Sequence, residues 1–354
     1  MGSSPSLAQP QSPAQARSQA QPRAQCPVEP VKQAQIPIGC KCGNPKVKWR
    51  CENCVSMLCD MCQDKDHAAK GHHIIDITTI QVKISDVKTY QTKVERSFCL
   101  EVAPDNSLWI GDGDEKEGFH PFTSPSALQN VKLVGDKVKV ISSFNINVFG
   151  VAVTPSNDIL LATFQPRLKQ IKAGSKKLTD SIYCEDMSNL AIVHVTKDDR
   201  VIVSVDNAVV VMDTDGNHLT RYEKDENNKQ VFSHFATSIN STINGNIFVA
   251  GYYDRKVVVF GKTDIISIYR GHHSFNNEYT GNESTPMDNV IVADSQNHAL
   301  HILNNTGHLL TTYNTKDIGI PILEHLAITK EGSFTVLYMT SSRSNLYKMV
   351  ITGC

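Results

Sequence analysis

Cysteine and histidine side chains are concentrated in one short segment, between residues 40 and 72. Two cysteines separated by one residue are followed by two Cys-x-x-Cys pairs and then by two histidines. Zinc prefers four sulfur or nitrogen ligands in a tetrahedron, and a Cys-x-x-Cys pair supplies two of them from one tight turn. The spacing therefore predicts two zinc ions, held by Cys40, Cys42, Cys51, Cys54, Cys59, Cys62, His67 and His72.

Disulfide bonds are the main alternative for such a cysteine-rich segment. Disulfides are typical of secreted proteins, yet residues 1–35 lack the apolar core of a secretory signal peptide. The histidines also favour metal, which would supply folding free energy to a segment too short to bury a core of its own. Two changes to the ligand set stay open: Cys26 in place of a member of the first pair, and His73 in place of His72.

Length and charge restrict the class of protein. The chain has 354 residues and a formal net charge of −1, and no stretch has the roughly 18 apolar residues of a membrane span. Residues 1–97 carry a net charge of about +5 and residues 98–354 about −6. The acidic larger part argues against a broad nucleic-acid surface, and zinc thiolates predict a reducing, cytoplasmic location.

Composition divides the chain into four segments. Residues 1–37 are rich in Gln, Ala, Pro and Ser, which predicts a disordered tail. Residues 38–77 form the zinc module, residues 78–97 a linker, and residues 98–354 a β-rich region.

The β-rich region repeats. Six times, a polar turn precedes a short apolar strand, and the first strand residues are separated by 51, 42, 46, 43 and 44 positions. Periods in the forties indicate one repeated supersecondary unit. The six strands begin at Leu108, Ile159, Val201, Ile247, Val290 and Phe334.

Each repeat contains further strands around this one, which predicts four antiparallel strands per unit and a six-bladed β-propeller. The predicted fold class is therefore mostly β, a small zinc module followed by a propeller. The sixth unit reaches Cys354 without a fourth strand. The stretch from Val82 to Val94 could supply that strand and close the ring, and a flexible linker is the alternative.

These segments resemble a known family. Residues Cys40 to Ile77 are similar to a B-box zinc finger, and residues 98–354 resemble an NHL-type propeller. Together they resemble the B-box and NHL branch of the tripartite-motif (TRIM) family. The resemblance implies a cross-brace in which the first and third ligand pairs share one zinc ion and the second and fourth share the other.

Two family features are not found in this sequence. The family's ubiquitin-ligase activity resides in a RING finger, whereas residues 1–37 contain a single cysteine, Cys26. The family's long coiled coil is also reduced to fewer than 20 residues. We therefore expect a non-catalytic adaptor whose propeller face binds a protein or peptide, with an open oligomeric state and no membrane association.

The sequence leaves three other functions open. The resemblance allows a ubiquitin-ligase component that acts with the ubiquitin machinery, and an RNA-binding propeller that uses Lys169, Lys172, Lys176 and Lys177. A propeller hydrolase or lyase would need a site in the channel. Its candidate side chains are Asp206, Asp254, Asp294, His298 and His301, with His272 and His273 in a loop. These aspartates end strands, where such residues more often cap turns.

Overall fold

Contacts divide the chain into two compact units, Met1–Pro37 and Ile38–Cys354. The first unit, with the predicted tail, lies wholly outside the residues that the structure describes. The structure is a computed structural model, and it describes residues 42, 49–51, 56–63, 67, 70–72, 74–76, 82–94, 97–113, 128–163, 165–184, 190–271, 277–320, 322–341 and 344–353.

A three-stranded sheet forms the frame of the cysteine-rich module. Its strands are β1 (Trp49–Cys51), β2 (Ser56–Leu58) and β3 (Ile74–Asp76), in the order β2-β1-β3. Both neighbours are antiparallel to β1. A single helical turn, α1 (Asp60–Cys62), follows β2. A cluster this small buries little apolar area, so metal at these cysteines and histidines would add to its stability.

The other described strands form six four-stranded antiparallel sheets, the blades of a β-propeller. A strand from before the first blade is β4 (Lys83–Gln91). Blade one contains β5 (Cys99–Val102), β6 (Leu108–Gly111), β7 (Leu128–Val134) and β8 (Lys137–Phe144). Blade two contains β9 (Gly150–Val153), β10 (Ile159–Ala162), β11 (Arg167–Ile171) and β12 (Leu178–Cys184). Blade three contains β13 (Leu190–Val195), β14 (Val201–Val205), β15 (Ala208–Met212) and β16 (His218–Tyr222).

The remaining blades repeat the pattern. Blade four contains β17 (Ser238–Ser241), β18 (Ile247–Gly251), β19 (Lys256–Phe260) and β20 (Ile265–Tyr269). Blade five contains β21 (Tyr279–Ser284), β22 (Val290–Asp294), β23 (Ala299–Leu303) and β24 (Leu309–Asn314), followed by a 3₁₀ turn at Thr315–Ile318. Blade six contains β25 (Leu326–Glu331), β26 (Phe334–Ser341) and β27 (Asn345–Thr352), with β4 as its fourth strand.

The apolar core lies between the blades rather than within them. Residues of a second strand alternate between two interfaces: Val201 and Val203 pack towards blade two, whereas Ile202 packs towards blade four. Both faces of such a strand are buried, which explains why the sequence shows continuous apolar runs instead of alternation. Six described core clusters correspond to the six blade interfaces.

The turn between the first and second strands of each blade contains one residue with a left-handed backbone. Asn, Asp and Gly tolerate this conformation better than other residues, because a short polar side chain or none at all relieves the clash. Those six residues, with φ between 61° and 86°, are Asn106, Asn157, Asp199, Gly245, Asp288 and Gly332. Each repeat therefore contains a polar turn because its left-handed backbone favours Asn, Asp or Gly.

The described helices are too short to cross a membrane. The helical turn α1 has three residues, and the 3₁₀ turn after β24 has four. No helix within the described ranges meets the length and hydropathy of a membrane span.

Candidate functional site

The small sheet brings distant cysteines and histidines together. Cys51 ends β1 and lies opposite Ser56 in β2 and Ile74 in β3. Cys51 and Cys59 are both buried, at 0% and 1% exposure. They form a small core with Leu58, against which Trp49 packs.

The first group of candidate ligands contains Cys42, Cys59 and Cys62, whose sulfur atoms all lie within 4.8 Å of one another. The Sγ atoms of Cys42 and Cys59 are 3.6 Å apart. The Cys62 amide donates to the Cys59 carbonyl at 3.1 Å, which forms the tight turn of a Cys-x-x-Cys pair. Three convergent thiols are a soft donor set of the kind that zinc prefers.

The second group contains Cys51, His67 and His72, again with ligand atoms within 4.8 Å of one another. The Nδ1 atom of His72 lies 3.4 Å from Cys51 Sγ and 3.3 Å from His67 Nδ1. Zinc–sulfur and zinc–nitrogen bonds of about 2.3 and 2.0–2.1 Å place tetrahedral ligand atoms about 3.3–3.8 Å apart. The Cys42–Cys59, Cys51–His72 and His67–His72 separations fit that geometry.

The two groups interleave along the chain. Cys42 from the first predicted pair joins the third pair, and Cys51 from the second pair joins the two histidines. This is the combination that the cross-brace implied. Cys40 and Cys54, the fourth ligands expected for these groups, lie outside the described residues, as do the alternatives Cys26 and His73. Their roles stay predictions.

An aromatic cluster lies on one face of the propeller, at the turn between β18 and β19. Tyr253 is 59% exposed, and its ring centroid is 5.1 Å from Tyr252 and 4.9 Å from His234. Phe235 lies 6.4 Å away, edge-on. These four residues are called the blade-four aromatic cluster below. A large exposed aromatic group of this kind is more typical of a contact surface than of a solvated turn.

Asp254 holds the loop that carries His234 and Phe235 against this turn. Its carboxylate accepts hydrogen bonds from the Ser233 amide at 3.1 Å and from the Ser233 hydroxyl at 2.8 Å. Beneath the loop, Lys256 donates to the Val231 carbonyl, and its Nζ atom lies 5.2 Å from the ring centroid of Phe232. Burial lowers the pKa of Lys256, and Asp254 partly offsets that shift. The turn and the loop that carry the cluster are therefore fixed against each other.

Asp294, like Asp254, accepts hydrogen bonds from loop residues and holds its loop in place. Asp294 is 0% exposed and accepts hydrogen bonds from the Asn297 amide, the Asn297 side chain and the Glu278 amide. His301 Nε2 lies 3.3 Å from its carboxylate, and His301 Nδ1 lies 2.7 Å from the Tyr269 hydroxyl. Burial would raise the pKa of Asp294, but the neighbouring His301 and the hydrogen bonds from Asn297 hold it below its usual value.

The other candidates are similarly accounted for. Asp206 is a left-handed turn residue between β14 and β15, and His298 has the same backbone conformation between β22 and β23. His272 and His273 lie outside the described residues. Among the described candidates, Asp294 and His301 of blade five lie in contact, whereas Asp206 belongs to a turn of blade three.

The basic run of blade two lies on a solvated hairpin. Lys169 pairs with Asp180 across β11 and β12 at 2.6 Å, and this hydrogen bond lowers the pKa of the exposed Asp180 carboxyl. Lys172, Lys176 and Lys177 are exposed near the turn. The described residues of this hairpin include no aromatic side chain stacked among the lysines, so the base-stacking platform of an RNA-binding face is not formed there.

The sequence did not predict one contact between the first strands of neighbouring blades. His194 of β13 lies 2.8 Å, through Nε2, from the hydroxyl of Ser241 in β17. Burial lowers the pKa of His194 to about 4, which makes it a weak base at neutral pH. The packing of blade three against blade four brings these residues together, since they are 47 positions apart in neighbouring repeats.

Comparisons with known proteins identify the fold. No protein-family model matches the chain, and no curated protein matches it. Among solved structures, a streptogramin B lyase is 11% identical, with a TM-score of 0.50 over 75% of this chain and 97% of that chain. A virginiamycin B lyase from Staphylococcus aureus is also 11% identical, with a TM-score of 0.52 over 77% of this chain and all of that one. At such identity the likeness shows the shared propeller fold alone.

Proposed function

We propose that this chain is a non-catalytic, zinc-binding adaptor that holds a protein partner on its propeller face. The blade-four aromatic cluster is the observation that carries the proposal. Tyrosine rings on a turn that is braced by the neighbouring loop offer large contact area at low entropic cost, and tyrosine is among the residues that dominate the energy of protein interfaces. The zinc module adds a second rigid element of the kind that the TRIM-like resemblance implies.

The metal part of the proposal is two zinc ions. The first would be held by Cys42, Cys59 and Cys62, and the second by Cys51, His67 and His72, with Cys40 and Cys54 completing the two sets. Bound zinc would keep these thiols as thiolates and supply folding free energy to a module with a very small core. Thiolate ligands are maintained best in a reducing compartment, so we place the protein in the cytoplasm.

The proposal assigns no reaction to the propeller, although both solved structures named above are lyases. The channel cavity has a volume of about 50 Å³, whereas sites for drug-sized ligands occupy about 300–1,000 Å³. Cys99 borders that cavity, and burial raises the pKa of its thiol well above the usual value, which disfavours the nucleophilic thiolate. Together with the weak base His194, these features support binding rather than catalysis.

Site-specific photo-crosslinking tests the interaction face. p-Benzoyl-phenylalanine replaces Tyr253 in the full-length chain, and the same group replaces Ile268 as the control. Ile268 is also an exposed apolar residue of blade four, at 41%, but it lies on the outer strand β20. We expect a defined protein adduct from position 253 and none from position 268. Equal adducts from both positions, or none from either, would overturn the proposal.

A variant pair provides the affinity measurement once the adduct is identified. Tyr253→Ala should weaken binding of the purified partner roughly tenfold or more, because a central aromatic side chain at an interface is typically worth at least 1.4 kcal/mol. Ile268→Ala should leave the affinity unchanged. The reverse order of effects would place the interface elsewhere on the protein.

A further inference from the structure

A cavity lies between blades three and four, away from the propeller axis. Blade three contributes residues of β15 and β16 to its lining, blade four contributes residues of two turns, and its volume is about 230 Å³. An engineered apolar protein cavity of about 150 Å³ binds benzene. The cavity between blades three and four, called the outer cavity below, therefore has room for an aromatic ring or a branched aliphatic group.

A shorter turn in blade four accounts for this space. The turn between the third and fourth strands spans residues 213–217 in blade three and 304–308 in blade five. In blade four the same turn spans residues 261–264, which is one residue fewer. The shorter turn covers less of the outer strand of the blade before it.

The corresponding space between blades four and five is filled. Ser267 of β20 lies opposite Val259 of β19, and its hydroxyl donates to the Thr306 carbonyl at 2.7 Å. Gly307 of the same turn packs so closely on Ser267 and Val259 that a Cβ atom at this position would overlap both. The turn of blade five therefore packs directly on the outer strand of blade four.

In blade three the equivalent pair of residues borders the outer cavity instead. Val211 lies opposite Thr220, and both line the cavity together with Tyr222 and Ile247. The Tyr222 hydroxyl donates to the Gly261 carbonyl at 2.6 Å, which fixes the short turn of blade four. Apolar side chains in such a lining favour an apolar occupant over water, by roughly 25 cal/mol for each Å² that is covered.

The charged residues of the lining are both cations. They are Arg200, which precedes β14, and Lys262, in the short turn of blade four. The carboxyls of Asp198 and Asp264 belong to the same turns but are not among the lining residues. The lining of the outer cavity is therefore complementary to an anion.

Arg200 has donors in addition to the one used by its ion pair. Its Nε atom lies 2.8 Å from the Asp198 carboxylate, whereas a guanidinium has five N–H donors in all. Its Nη2 atom lies 3.8 Å from the point where a Cβ atom on Gly245 would stand, and Gly245 also lines the cavity. The glycine therefore leaves the guanidinium open to a ligand on that side.

We propose that the outer cavity binds an apolar carboxylic acid in its ionised form. The aromatic or branched aliphatic group of the acid fills the space against Val211 and Tyr222, and its carboxylate pairs with Arg200 and Lys262. A guanidinium and a carboxylate form two parallel hydrogen bonds, which would fix the orientation of the acid.

The inference goes beyond the proposed function and does not require it. In an antiparallel blade, the turns after the first and third strands lie at one end, and the turn after the second strand lies at the other. Gly245 and Lys262 belong to turns of the first kind, whereas Tyr253 belongs to the second. The outer cavity is therefore at the end of blade four away from the blade-four aromatic cluster.

Small probes test the cavity in the unmodified protein. N-acetyl-L-phenylalanine, its uncharged primary amide and N-acetylglycine are titrated into the zinc-loaded full-length chain, and binding is followed by ligand-detected NMR. We expect saturable binding of N-acetyl-L-phenylalanine. We expect at least about tenfold weaker binding of the amide, which lacks the charge, and of N-acetylglycine, which lacks the apolar group. No binding, or an amide that binds as tightly as the acid, would overturn the inference.

A fourth probe distinguishes two sources of such a ligand. A free arylalkanoic acid and the last residue of a peptide both join an apolar group to a carboxylate, but only the second has a neighbouring peptide bond. Tighter binding of 4-phenylbutyrate than of N-acetyl-L-phenylalanine would support a free acid, and the reverse order would support a peptide end. Either order supports the apolar-carboxylate site.

Substitutions then locate the site. Arg200→Gln should weaken the binding of N-acetyl-L-phenylalanine roughly tenfold, and Lys262→Gln roughly threefold, because each removes a charged donor. Thr220→Leu should weaken it roughly tenfold without a change in charge, because the larger side chain occupies the cavity. The matched control is Lys197→Gln, since Lys197 is exposed in the turn before β14 and does not line the cavity.

Thermal melting shows that each variant is folded before its affinity is compared. Unchanged affinity in both folded Arg200→Gln and folded Thr220→Leu would place the binding site elsewhere on the protein and contradict the inference. An equal loss in Lys197→Gln and Lys262→Gln would show a general charge effect and would contradict it as well. If a cavity variant does not fold, the comparison of acid and amide on the unmodified protein decides.

Discussion

Gln91 lies opposite Asn345 in the sixth blade, and their side chains form a hydrogen bond although 254 positions separate them. This contact belongs to the pairing of β4 with β27, in which a strand from before blade one completes blade six. This pairing covers the edge of β27 that a three-stranded sixth blade would expose.

Substitution of Tyr90 tests the contribution of this closure. Tyr90 of β4 is 5% exposed and packs in the cluster between blades six and one. Tyr90→Ala should lower the free energy of unfolding by about 3–5 kcal/mol, since it leaves a large cavity. Thr89→Ala is the control, because Thr89 is exposed on the same strand. Urea denaturation measures both, and equal effects would mean that β4 packing does not stabilise the ring.

The repeated turns make a separate prediction. Asn157 has a φ of 62° between β9 and β10. Asn157→Val should destabilise the protein by about 1–2 kcal/mol, because a β-branched side chain clashes in the left-handed region. Asn157→Gly occupies the same conformation freely and should stay within about 0.5 kcal/mol of the unsubstituted protein. Thermal melting distinguishes the two, and an equal loss in both would argue against backbone strain.

Asp294 should contribute to stability rather than to a reaction. Asp294→Ala leaves the Asn297 and Glu278 amides without their acceptor in a buried loop, and we expect a loss of about 3 kcal/mol or more. The control is Asp215→Ala, since Asp215 is exposed in the turn between β15 and β16. A small effect from Asp294→Ala in chemical denaturation would contradict this structural role.

Stability should fall as the pH rises from 6.5 to about 8. The pKa of Glu101 is raised from 4.5 to about 8, so the folded protein binds more protons than the unfolded chain in this interval. The raised pKa of Glu283 acts in the same direction. The pKa values of His194 and His325 are lowered from 6.5 to about 4, so they reduce stability only below this interval.

Glu101→Gln should reduce this pH dependence, because glutamine does not titrate. Melting temperatures measured across the interval test the effect, with Glu226→Gln as the exposed control. A pH profile of Glu101→Gln that matches the unsubstituted protein would show that Glu101 is not perturbed in the folded state.

Much of the fold could be predicted from local patterns. Turn residues such as Asn157 and Asp199 mark each blade because the left-handed backbone selects them. Apolar runs such as Val201–Val205 mark the second strands because both faces are buried. The six-bladed, mostly β fold predicted from these repeats is confirmed. The missing fourth strand of the last repeat also indicated where β4 belongs.

The channel could not be predicted in the same way. Glu101 and Glu283 belong to different blades, and their proximity depends on the radius of the closed ring. The available sequence signal was a polar residue within the first strand of a blade. His194 in β13 and Asn240 in β17 are examples. The aromatic cluster was missed because Tyr253 and His234 meet only when their loop folds over the turn.

Zinc content measured by native mass spectrometry on the full-length protein tests the metal-bound adaptor most directly. The account predicts two zinc ions per chain, and fewer in Cys59→Ser. It predicts no change in Cys99→Ala, because Cys99 belongs to the propeller core. One ion or none in the zinc-supplied protein, or the same zinc content in Cys59→Ser, would contradict the two-ion module formed by these cysteines and histidines.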